Sequence, residues 1–251
     1  MKLFVVFAAL LACALAGPMV RVDPNLDWRI VGGSNAASGQ FPFMVSQRSG
    51  STTSHMCGGT IINNRWILSA AHCLTGSGAI TFVAGSHLIL TGGVRFAVSR
   101  RLIHANYNPT LISNDVGVVQ LASAISFGNL IQPIALESGN VGAVAATVVG
   151  WGRIQTGGAI PNNLQWLNLN SITVADCQNR HSHPVFANNI CSLAPNGQGI
   201  CQGDSGGPLL RRGTNIQLGI ASWVIPCARG WPDVFARVSS FLPWINNAIT
   251  S

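Results

Sequence analysis

Short runs of Val, Ile and Leu, set off by clusters of Gly, Asn, Ser and Pro, recur along most of the chain. Ile61-Ile62 precedes Asn63-Asn64, and further runs occupy Trp66 to Ala71, Thr81 to Val83, Val116 to Leu121, Ala145 to Val149 and Gln217 to Trp223. Apolar runs of this length, bounded by turn formers, predict strands, and their number predicts an all-β sandwich or barrel. Residues 30–251 exceed a typical single domain of about 100 to 150 residues, so two packed β units are expected. The tail changes period. Phe241, Leu242, Trp244, Ile245, Ala248 and Ile249 form a helical stripe, with Ser240 as candidate cap and Pro243 in the first turn, which predicts one amphipathic terminal helix.

The first sixteen residues, MKLFVVFAALLACALA, follow another order: Lys2, an apolar stretch from Leu3, then Ala14 and Ala16 flanking Leu15. That is the arrangement of a secretory signal over 1–16. The competing reading, a membrane anchor or buried first helix, meets a run shorter than the roughly 20 residues a span needs. Removal of the signal takes Cys13 with it and leaves Cys57, Cys73, Cys177, Cys191, Cys201 and Cys227. An even number in an oxidising compartment reads as disulfides, with fifteen connectivities open. Zinc is disfavoured, since no C-x-x-C or paired Cys/His ligand set occurs and His181-Ser182-His183 reads as a loop.

Composition narrows the function classes. The chain of 251 residues is 48% apolar and only 8% charged, which excludes a charge-solvated disordered chain. A formal +7 hints at nucleic acid, but the sole lysine is Lys2 and the longest basic runs are the pairs Arg100-Arg101 and Arg211-Arg212, so no binding stripe forms. From Ile30 onward there are eleven arginines and five acids, which leaves +6; the excess reflects a shortage of acids. No Asp or Glu lies between Asp27 and Asp115, which argues against a calcium loop. Asn108-Pro109-Thr110 carries the Pro that excludes N-glycosylation.

Three segments concentrate chemistry. In Cys201-Gln202-Gly203-Asp204-Ser205-Gly206-Gly207-Pro208, three glycines around one serine permit steep turns and neighbouring N–H groups aimed at a reacting oxygen. Trp66 to Cys73 is an apolar run ending in His72, and Asn114-Asp115 sets a carboxylate at the mouth of another. A Gly-rich serine alone is usually a turn and a lone histidine a packed one. Together they supply nucleophile, base and orienting acid, and a carboxylate placed there needs a partner.

These motifs, AAHC, ND before an apolar run and GDSGGP, resemble the chymotrypsin-like (trypsin-fold) serine endopeptidases. The order His, Asp, Ser matches that fold, as do Ile30-Val31-Gly32-Gly33, Gly150-Trp151-Gly152 and Ser222-Trp223. The resemblance implies two packed six-stranded antiparallel β-barrels with a C-terminal helix, a boundary near 135–140, and the site in the cleft between them. It pairs Cys57 with Cys73, Cys177 with Cys191 and Cys201 with Cys227. It implies His72 as base, Asp115 as its orienting acid, Ser205 as nucleophile and the N–H groups of Gly203 and Ser205 as oxyanion hole. Ser222, Trp223 and Val224 would pair with an extended substrate. Residues 17–29 would be an activation propeptide, cut after Arg29 by a trypsin-like protease so that the Ile30 ammonium pairs with Asp204.

Specificity departs from the relatives. Trypsins carry Asp at the position of Gly199, so ordinary tryptic cleavage is not expected. Ile200 and Val224 narrow the pocket towards apolar side chains, as in elastase-like enzymes, whereas Asp233 could accept a polar or basic one. Some arthropod collagenolytic serine proteases resemble this pairing of Gly with Asp. A competing reading has Asp233 facing away, paired with an arginine. The expected protein is a secreted, monomeric endopeptidase, digestive in role. It would act on polypeptides, be subject to protein inhibitors, and have no metal, cofactor, nucleic-acid or membrane partner. Alternatives are a regulatory protease of the same fold and a non-catalytic homologue that acts as a binding module.

Overall fold

In the computed structural model, which describes Ile30–Ser251 apart from Pro226, the chain is built almost wholly of strands. The expected signal over 1–16 and the propeptide over 17–29, with Arg29, lie outside the described residues. A two-residue strand β1 (Ser34–Asn35) precedes β2 (Met44–Ser49), β3 (His55–Ile61), β4 (Trp66–Ser69), β5 (Ile80–Ala84), β6 (Val94–Ile103) and β7 (Gly117–Leu121). Strands β2 to β7 close into a barrel in the order β2-β3-β4-β7-β6-β5. Its interior is filled by side chains such as Val45, Ile67, Phe82, Val118 and Leu121, none of them exposed. Strand β4 is buried along its whole length, so it reads as a continuous apolar run with no alternation.

The second half supplies β8 (Ala135–Leu136), β9 (Ala145–Gly150), β10 (Gln165–Ile172), α1 (Val174–Gln178), β11 (Asn189–Leu193), β12 (Pro208–Arg211), β13 (Ile216–Trp223) and β14 (Asp233–Arg237). Six of these strands close a second antiparallel barrel, β9-β10-β11-β14-β13-β12, with β12 and β10 both paired to β9. Strand β10 alternates: Leu167 and Leu169 face the core while Asn168 and Asn170 face solvent. β8 joins β13 in parallel, and β1 lies on β10, so the start of the described chain is stitched to the second barrel.

The barrels touch along β3. Gly58 N–H donates to the Ser205 carbonyl at 2.7 Å, and the Thr60 hydroxyl donates to Gln217 Oε1 at 2.7 Å. Disulfides join Cys57 to Cys73, Cys177 to Cys191 and Cys201 to Cys227.

Helix α2 (Val238–Thr250) ends the chain and buries Phe241, Ile245 and Ala248 together with the core of the first barrel. It begins two residues before the expected cap. Val238 is fully buried directly after β14, so winding starts as the strand leaves the barrel; Arg237 occupies the cap position without a side-chain bond, and Ser240 lies in the first turn. Pro243 is therefore inside the helix, where its missing N–H removes a bond to the Ser239 carbonyl.

Candidate active site

Ala70 is extended, and a single 3₁₀ turn, Ala71–Cys73, swings His72 off the end of β4 while Cys73 is tied to Cys57 on β3. Asp115 lies just before β7, the neighbour of β4 in the barrel. One carboxylate oxygen accepts the His72 backbone N–H at 2.9 Å; the other accepts from His72 Nδ1 at 2.7 Å and from the Ser222 hydroxyl at 2.6 Å. Asp115 is 1% exposed, so these three donors are what make a buried carboxylate tolerable. A carboxylate that accepts a hydrogen bond from Nδ1–H fixes the tautomer in which Nε2 of the neutral ring is the acceptor, the position a general base needs.

The serine loop is pinned to the same strands. Besides the Gly58 N–H to Ser205 carbonyl bond, Gly206 has φ of 78°, and a Cβ there would collide with the Ser69 hydroxyl and the Gly58 carbonyl. Glycine is required at that contact. Ser205 is thus held beside the segments that carry His72. Among the described residues no hydrogen bond joins the Ser205 hydroxyl to His72, whose Nε2 lies 3.6 Å from Cys73 Sγ. Catalytic bonds of this kind tighten when substrate closes the site.

Within the loop the backbone donors divide. Asp204 N–H bonds the Cys201 carbonyl, Gly206 N–H that of Ala221, and Gly207 N–H that of Asp204. Among the described residues the N–H groups of Gly203 and Ser205 have no protein acceptor. Gln202 N–H is likewise unpaired, and free donors on either side of Asp204 can receive a developing oxyanion.

His55, which the sequence reading missed, holds this loop. Its Nε2 donates to the Gly203 carbonyl at 2.9 Å, because a carbonyl only accepts. Its Nδ1 must then accept from the Ser46 hydroxyl at 2.8 Å, whose oxygen accepts from Arg48 Nε at 2.6 Å. Burial pulls His55 down to about 4, opposed by the Gly203 bond and aided by the charge on Arg48. The only signal in the sequence was its place two residues ahead of Cys57.

Asp204 is 2% exposed, and its oxygens accept the N–H groups of Gly152 at 2.7 Å and Cys201 at 2.9 Å. Burial outweighs those bonds and pushes the carboxyl up to about 7. No cation pairs with it among the described residues. Ile30 is fully buried and shares a core cluster with Ile200.

Among the residues expected to set specificity, Asp233 Oδ2 accepts the Ile200 N–H at 3.0 Å. Gly199 has φ of 147°, and a Cβ there would sit 2.9 Å from the same oxygen. Among the described residues no arginine pairs with Asp233; their ion pairs are Arg211 with Glu137 and His72 with Asp115. Burial pushes the Asp233 carboxyl up to about 8, with the Ile200 bond opposing and the Asp204 charge adding. Val224 packs against the cluster that holds Ile200, and Trp223 is covered edge-on by His181 and His183. His72 also lies near Cys57 and Cys73, but their disulfide leaves no thiolate there to bind a metal.

The profile of the family described as Trypsin matches residues 30–245. The chain belongs to the trypsin family. This trypsin-family chain is 40% identical to chymotrypsin-2 of Vespa crabro, over 86% of its own length and 98% of that protein. It is 39% identical to trypsin beta of Drosophila erecta, over 98% of its own length and 99% of that protein. Among solved structures it is similar to one titled HL collagenase, with a TM-score of 0.80 and 30% identity, covering 88% of this chain and 99% of that one. The family is that of the trypsin- and chymotrypsin-like serine endopeptidases, which act on polypeptides. Three different activity names among its relatives leave specificity to the pocket residues.

Proposed function

We propose that this chain is a secreted serine endopeptidase, made with a signal over 1–16 and a propeptide over 17–29. Cleavage after Arg29 activates it, and it then hydrolyses peptide bonds through an acyl-enzyme at Ser205. The observation that carries the reading is the Asp115–His72 pair at 2.7 Å beside a serine loop in which the N–H groups of Gly203 and Ser205 are unpaired. Ser205 Oγ attacks the scissile carbonyl as His72 Nε2 takes its proton. The carbonyl oxygen becomes an oxyanion received by the Gly203 and Ser205 N–H groups, and Asp115 stabilises the charged imidazole. Collapse passes the proton to the leaving amine. Water then repeats the sequence on the acyl-enzyme and frees Ser205.

Activation is supported by Asp204, a buried carboxyl pushed up to about 7 with no cation among the described residues, and by Ile30, which is buried in the cluster that holds Ile200. A freed Ile30 ammonium supplies that cation and locks the loop that holds Gly203. For the residue before the cleaved bond we propose an apolar preference set by Gly199, Ile200 and Val224. Asp233, at the pocket base, adds tolerance for polar or basic side chains. A fluorophosphonate probe tests the reading: it should label Ser205 after cleavage at Arg29, and neither the uncut chain nor Ser205→Ala. Absence of Ser205 labelling in the cut protein contradicts it.

A further inference from the structure

The segment that delivers Asp115 is tied to the barrel it does not belong to. Between β6 and β7, Asn114 has φ of 54° and Ile112 has φ of 48°, left-handed values that asparagine tolerates and a β-branched residue avoids. Such backbone persists where its surroundings fix it. Ile112 packs against the second-barrel cluster that contains Trp223 and Val234. His183 Nε2 donates to the Leu111 carbonyl at 3.0 Å, a bond open to the neutral and the charged ring alike. Asn188 Nδ2 donates to Asn114 Oδ1 at 2.8 Å. The next link fixes that direction, since Asn114 Nδ2 donates to the Asn106 carbonyl at 2.8 Å and a carbonyl only accepts. Asn188 is itself anchored to the end of β14, where its carbonyl accepts the Arg237 N–H at 2.9 Å.

From Asn114 the constraint passes to the carboxylate. The Asn114 carbonyl accepts the Val116 N–H at 2.9 Å, which closes a three-residue turn with Asp115 at its centre. A rotation of Asn114 would therefore carry the Asp115 carboxylate away from His72 Nδ1, now 2.7 Å from it. We propose that Asn188 is a positioning residue for the reaction: through Asn114 it fixes the Asp115 turn, and so the His72 ring, from the opposite barrel. This inference rests on the catalytic reading of His72 and Ser205.

Beside the Asn188–Asn114 bond lies a cavity of about 410 Å³, lined by Ser113, Asn114, Phe186, Ala187 and Asn188, with room for one more methylene. The test uses the protein cut after Arg29 and a p-nitroanilide substrate with Leu before the scissile bond. Asn188→Ala removes the donor, and kcat should fall about tenfold with KM within about twofold of wild type. A carboxylate held less firmly stabilises the imidazolium less, so the acid limb of kcat/KM should move down by roughly half a pH unit. Asn188→Gln, whose longer amide fits the cavity, should restore both. Asn114→Gly accepts the same φ, removes the bond from its other end, and decides the matter if Asn188→Ala does not fold. It should give both changes, and the double variant should lose no more than Asn114→Gly alone. Wild-type kcat in Asn188→Ala, a lower kcat with an unmoved acid limb, or losses that Asn188→Gln does not restore would each overturn the assignment. Absence of hydrolysis by the wild type itself would instead overturn the reading of Ser205, and this inference with it.

Discussion

Gly199 and Asp233 constrain one another: the carboxylate that accepts the Ile200 N–H occupies the space a side chain at 199 would need. In the proposed pocket, negative charge would therefore come from Asp233 and not from position 199, and only above about 8, where the carboxyl ionises. Below about 8 the carboxyl keeps its proton and suits an apolar or hydrogen-bonding guest; above it, the anion suits a cation. For two peptides that differ only in Arg or Leu before the cleaved bond, the kcat/KM ratio of Arg to Leu should rise roughly tenfold between pH 6.5 and 9. The ratio should be flat in Asp233→Asn. A wild-type ratio independent of pH would remove Asp233 from the pocket. The same shift bears on stability. Asp233 stays protonated in the folded chain between 3.8 and about 8, where it is ionised in the unfolded chain. Its contribution is thus fully present below 3.8 and lost as pH rises to about 8.

Elements show where pattern reading succeeds. Strand β4 could be read from its unbroken apolar run and lies where the sequence suggests, whereas the alternation of β10 was present in the sequence but not singled out. Strand β6 could not: in VRFAVSRRLI only Phe96 is buried, because much of the strand faces solvent and Arg95 and Arg101 bond loop carbonyls. The start of α2 was misplaced because Ser240 has the chemistry of a cap, whereas burial of Val238 decides where the helix begins. Ile245 is fully buried between this helix and the first barrel. Ile245→Ala should cost about 2 to 5 kcal/mol in urea unfolding. A loss below 1 kcal/mol would mean that the helix contributes little to holding the halves together.

Across the whole molecule, the site exists because two closed barrels meet. His72 and Asp115 come from the first, Ser205, Ser222 and Asp233 from the second, and His55 on β3 bonds Gly203 across the seam. His72, Asp115 and Ser205 were legible in sequence because each sits in a local motif. His55 was not, since its partners are 9 and 148 residues away and only the tertiary fold assembles them. The scarcity of acids takes on meaning at this scale too. Of the five carboxylates after Ile30, Asp115, Asp204 and Asp233 are buried around one cleft. Covalent chemistry at Ser205 is tested most directly by trapping the intermediate. The protein cut after Arg29 is mixed with a slowly deacylating ester, quenched in acid and mapped by mass spectrometry. One acyl group should appear on Ser205 and none in Ser205→Ala; hydrolysis that proceeds with no acyl group on Ser205 would contradict the account.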